Sequence, residues 1–135
     1  MVNIELNFSK KIKIGVVGSR RRNTEADYIL VRDMLANIIH RFEPEDIIVL
    51  VSGGCSRGAD SFVNELTEKF NLSKPIIFPA DWDKYKKAAG FIRNTDIAKE
   101  SDILIAVVAA DRTGGTEDTV KKFKKFYPQG ELILL

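Results

Sequence analysis

Apolar residues gather in short blocks along this chain, at Ile12 to Val17, Ile47 to Val51, Pro75 to Phe78, Ile103 to Ala110 and Leu132 to Leu135. Stretches of helix length separate them. Strands covered on both faces read as continuous apolar runs, so the blocks predict a mostly parallel sheet with helices on both faces. Upstream, Val2, Ile4, Leu6 and Phe8 alternate with Asn3, Glu5 and Asn7, the period-2 pattern of a half-exposed strand, which predicts an extra N-terminal edge strand.

Between the blocks the apolar spacing turns helical. A first helix is expected from Thr24, where Thr24 and Asp27 form a capping-box pattern, with Tyr28, Val31, Leu35, Ile38 and Phe42 as its core stripe and Pro44 ending it. The second carries Ala59, Phe62, Val63, Leu66 and Phe70, and the third runs from about Lys84 to Lys99 with an interruption expected at Gly90. A fourth opens at Thr116, packs through Val120, Phe123 and Tyr127, and stops at Pro128 and Gly130. Right-handed crossovers favour an order that sets the Ile12 strand beside the Ile103 strand. The crevice expected at that switch point is bordered by Gly18 to Asn23, Asp111 to Thr116 and Ser52 to Gly58.

Composition narrows the classes. With 135 residues and 44% hydrophobic content, the sequence fits one domain over 1–135 with a sizeable core. Its charged residues, 30% of the chain, nearly cancel at +2, so no global field draws it to nucleic acid or to a membrane. No signal-peptide pattern opens the sequence, and no apolar run approaches the roughly 20 residues that span a bilayer. A cytoplasmic location without membrane association is the expectation. One cysteine excludes an internal disulfide, and with one histidine, His40, no zinc cluster and no cofactor is expected.

Three glycine-containing loops hold the candidate chemistry. Ser52, Gly53, Gly54, Cys55, Ser56, Arg57, Gly58, Ala59 and Asp60 run from strand to helix, a pattern that cradles phosphate on backbone N–H groups with Arg57 as a mobile charge; a tight strand-to-helix connection explains the glycines equally well. After the first strand, Gly18, Ser19 and Arg20 are placed to meet an anion, whereas Arg21 and Arg22 read as a solvated basic loop. Neither loop is a G-x-G-x-x-G fingerprint or a P-loop. Glu117 and Asp118 fall in the first turn of the last helix, where they repel phosphate. The expected site is therefore polarised, with the anion over Gly53 to Gly58 and sugar hydroxyls or a leaving group near Thr116 and Asp118. Trp82 could stack on a base or pack on its own helix, and Arg93 could reach the crevice or form a surface salt bridge. Cys55 is a candidate for a lowered thiol pKa or an inert turn residue, and Lys121, Lys122, Lys124 and Lys125 read as the solvated face of their helix.

Taken together, Gly18-Ser19-Arg20, Ser52-Gly53-Gly54 with Arg57-Gly58-Ala59-Asp60, Pro79-Ala80-Asp81-Trp82, Ala89-Gly90 with Ile92-Arg93-Asn94, and Gly115-Thr116-Glu117-Asp118 resemble the YspA-like branch of the SLOG superfamily. Its relatives include the lonely-guy phosphoribohydrolases and the DNA-processing protein DprA. The resemblance implies a single Rossmann-like three-layer sandwich that binds a nucleotide or nucleotide-derived small molecule, as a ligand sensor. The second reading is a phosphoribohydrolase cleaving nucleoside monophosphates, in which Arg93 resembles the family arginine and Asp118 substitutes for a glutamate whose place holds Thr119. DprA-like nucleic-acid binding is the third, disfavoured by the charge balance. A homodimer is expected from the resemblance and from the unpaired edge of the first strand.

Overall fold

The computed structural model describes residues 9–135; the N-terminal alternating segment, Val2 to Phe8, lies outside them. Five parallel strands form one sheet in the order β3-β2-β1-β4-β5. They are β1 (Lys11–Gly18), β2 (Ile47–Ser52), β3 (Ile76–Ile77), β4 (Ile103–Val107) and β5 (Glu131–Leu134). The helices are α1 (Glu25–Ile39), α2 (Val63–Lys69), α3 (Trp82–Tyr85), α4 (Ala89–Glu100) and α5 (Gly115–Phe126), with a 3₁₀ turn over Ala59–Phe62 leading into α2. This is a Rossmann-like three-layer sandwich, as the apolar blocks require.

Alternation along β1 builds both layers. Ile12, Ile14 and Val16 face Val31, Leu35 and Ile38 of α1 and Val63 and Leu66 of α2. Val17 turns the other way, with Leu104 and Ala106, toward Ile97 of α4 and Val120 and Phe123 of α5. On that second face Gly15 lets the sheet meet the end of α4, since a Cβ there would stand 2.8 Å from Leu104 Cδ1 and press on Ser101. Such burial is the main favourable term, at roughly 25 cal/mol per Å² of apolar surface.

Local signals place the helices, with two corrections. Thr24 caps α1 as expected: its Oγ1 accepts from the Asp27 N–H at 3.2 Å, and Asp27 Oδ2 accepts from the Thr24 N–H at 3.1 Å. However, α1 ends at Ile39 and the chain is already turning through Arg41 and Phe42, so Pro44 lies beyond the stop. Downstream, the expected break at Gly90 falls instead at Lys86, whose φ of 53° is left-handed. Asp81 starts the single turn of α3 by accepting from the Lys84 N–H at 3.1 Å. Gly90 then sits in the first turn of α4, where the loss of helix propensity is tolerated.

Candidate ligand-binding site

Because β1 lies between β2 and β4, the chain leaves the sheet in opposite directions on either side of it, and the loops after β1 and β4 part there. A hollow of about 300 Å³ opens at this point. Gly18, Ser19 and Arg20 come from the β1 loop, Cys55 and Asp60 from the β2 loop, Arg93 and Asn94 from α4, and Gly114, Gly115, Thr116 and Thr119 from the start of α5, over a floor of Val17 and Ile97.

Asp60 sets the frame. Its carboxylate accepts from the Gly53 N–H at 3.1 Å, the Gly18 N–H at 3.3 Å and the Ser52 hydroxyl at 3.3 Å, which ties the ends of β1 and β2 to one group. Burial pushes the Asp60 carboxyl above the ordinary carboxylate range, against the pull of the Gly53 N–H, the Arg93 charge and its other donors. The two loops also touch directly: the Gly58 N–H donates to Asn23 Oδ1 at 2.8 Å. At a φ of 80°, with a Cβ that would come within 2.6 Å of the Ser19 carbonyl, position 58 requires glycine.

On the other wall, Arg93 Nη1 donates to the Gly53 carbonyl at 3.2 Å and its Nε to Asn94 Oδ1 at 3.2 Å. Asn94 Nδ2 in turn donates to the Gly115 carbonyl at 3.2 Å and to Asp118 Oδ2 at 3.1 Å. Gly114, at a φ of 109°, opens α5 with no side-chain cap, so the unpaired N–H groups of its first turn border the hollow. Thr116 and Thr119 are buried side chains that line the hollow.

Over 118 residues the sequence is 30% identical to the Gene 61 protein of Mycobacterium phage D29, covering 84% of this chain and 89% of that protein. The chain belongs to the Gene 61 protein family. No family model matches the sequence, and no solved structure matches it.

In this member of the Gene 61 family the expected site residues divide into two groups. Gly18, Ser19, Arg20, Asp60, Arg93, Asn94, Gly115 and Thr116 meet around the hollow. Ser52 and Gly53 are buried beneath it, Gly53 under the Arg93 side chain. Gly58 joins the loops from behind. Gly54, at a φ of 72°, turns toward Ile77. Arg57 is exposed and does not line the hollow, and Trp82 is 54% exposed with its ring near Gly90. Glu117 and Asp118 also stand outside the lining.

The acids and arginines around the site are paired among themselves. Arg112 holds Glu117 through two hydrogen bonds of 2.7 and 2.9 Å and keeps its carboxyl below the ordinary range. Lys122 Nζ lies 2.8 Å from Asp118 Oδ2. Each acid therefore has its own cation. Arg21 stays solvated, as expected, with 56% of its side chain exposed, whereas Arg22, at 26%, is drawn against the fold. Arg21 grips Asp111 with two bonds of 2.8 Å across the mouth and also reaches Thr113, while Arg22 binds Asp27 at 2.8 Å and the carbonyls of Val108 and Leu135. Lys122 leaves the solvated lysine face as well, since it also donates to the Phe91 carbonyl at 2.7 Å.

Arg21, Thr113 and Thr119 are lining residues that sequence reasoning left out of the site. For Thr119 a signal existed: it follows Thr116 at helical spacing. Arg21 had none, because its partner lies 90 residues away.

Proposed function

We propose that this protein binds a nucleotide or nucleotide-derived small molecule in the hollow and acts as a ligand sensor. One observation carries the reading: the hollow is rich in donors and, among the described residues, holds a single carboxylate, Asp60, that is already engaged. Arg20, Arg93, the two threonine hydroxyls and the first turn of α5 offer hydrogen to an anionic, hydroxyl-bearing guest. Asp60 accepts from three donors and has no free role toward a substrate. The anion belongs at the start of α5 near Arg20, not over Arg57. Asp118, the candidate acid for cleaving an N-glycosidic bond, is bound to Lys122 and Asn94.

The Arg93–Asn94–Asp118 chain of hydrogen bonds, at 3.2 and 3.1 Å, favours a second reading, a phosphoribohydrolase with the nucleotide oriented by Arg93. One experiment separates the two. Purified protein is screened by thermal shift against nucleoside monophosphates, nucleotide sugars and ADP-ribose derivatives, and the same mixtures are assayed for released base. Ligand at about 100 times its dissociation constant stabilises by roughly 2.7 kcal/mol, a shift on the order of 10 °C for a domain of this size. A shift without free base supports binding alone. Base release abolished by Arg93→Ala and by Asp118→Asn moves the conclusion to hydrolysis.

A further inference from the structure

At its C-terminal end α5 presents aromatic rings to solvent. Phe126 and Tyr127 are 37% and 40% exposed, beside Lys121, Lys124 and Lys125, which are exposed and enter no ion pair among the described residues. Rings set among unpaired cations form a surface that gains by meeting an acidic, partly apolar partner.

The opposite layer of the same molecule carries that complement. Between the start of α1 and the segment from Ser61 through α2 runs a groove of about 850 Å³. Tyr28 and Phe62 lie in it, their rings edge to face at 5.4 Å, and Glu25, Glu65 and Glu68 line it with Lys69. None of the three glutamates is ion-paired among the described residues. We propose that the lysine and aromatic end of α5 docks into the α1–α2 groove of a second copy of this chain.

Three features select a second copy as the occupant. Charges and rings match on the two surfaces, with lysines and exposed rings on one and glutamates over a ring pair on the other. The sheet stands between them, so no molecule can fill its own groove. A formal charge of +2 leaves little long-range repulsion between copies. Because the two surfaces differ, the contact is head to tail: a copy whose groove is filled still offers its own α5, and the assembly stays open-ended.

The test is the mass in solution, by light scattering on a sizing column and by sedimentation. At low salt the wild-type mass is expected to exceed 15.2 kDa and to climb with concentration past a dimer without a plateau. In about 1 M salt, where the Debye length is about 3 Å, it should return to 15.2 kDa. Glu65→Lys with Glu68→Lys, and separately Lys124→Glu with Lys125→Glu, are each expected to remain monomeric. An equimolar mixture of the two should assemble again, since each offers the surface the other needs. Circular dichroism checks folding, and the wild-type salt response decides if a variant does not fold. A wild-type mass fixed at 15.2 kDa, a closed dimer indifferent to both variants, a mixture that stays monomeric, or association only on adding an oligonucleotide overturns the proposal.

Discussion

Arg20 lines the hollow and enters no ion pair among the described residues; its guanidinium donates to Cys55 Sγ at 3.7 Å. Arg20→Ala is therefore expected to abolish the thermal shift given by phosphorylated ligands while leaving the ligand-free melting point nearly unchanged. Arg57→Ala, exposed and outside the lining, should leave that shift intact. Replacing Thr119 by valine keeps the shape of the side chain and removes its hydroxyl. Affinity by calorimetry should fall by about 1 kcal/mol, the worth of one hydrogen bond, with little change in unliganded stability. At this scale the sequence was half readable. Gly18, Ser19 and Arg20 follow a strand at a switch point, so topology alone brings them to the crevice. The engagement of Arg21 by Asp111 and of Asp118 by Lys122 depends on which acids and bases the fold brings into range. Composition near a loop does not reveal that pairing.

Helix ends were legible where a side chain closes on its own backbone. Thr24 and Asp27 are such a case, and Thr24→Ala should cost about 1 kcal/mol in urea denaturation. Asp27 adds a pH dependence with a definite sign. Burial raises its carboxyl, while the Arg22 guanidinium and the Thr24 N–H and hydroxyl lower it by more, so it lies below the ordinary value. A carboxyl depressed on folding contributes stability that is present above its unfolded pKa of about 3.9 and is lost as pH falls through the folded value. Asp27→Asn should therefore destabilise fully at neutral pH and progressively less in acid, measured as urea midpoints across that range. The interior sets the limit at Gly15, where any Cβ meets Leu104 and Ser101. Gly15→Ala is expected to cost about 1–3 kcal/mol through overpacking, read from the same denaturation curves. The break near α3 was misplaced because glycine is only the commonest way to interrupt a helix. Here the turn capped by Asp81 closes at Lys86 before Gly90 is reached.

For the whole molecule, continuous apolar blocks and the handedness of crossovers were enough to read the sheet and its order, because few arrangements bury strands on both faces. A net charge cannot report which layer holds the acids and which the lysines; only the assignment of helices to faces does. That assignment has a geometric result. The surfaces proposed to meet lie on the flanks of the sheet, whereas the hollow opens at the ends of its strands, so a row of molecules joined flank to flank leaves every mouth open to solvent.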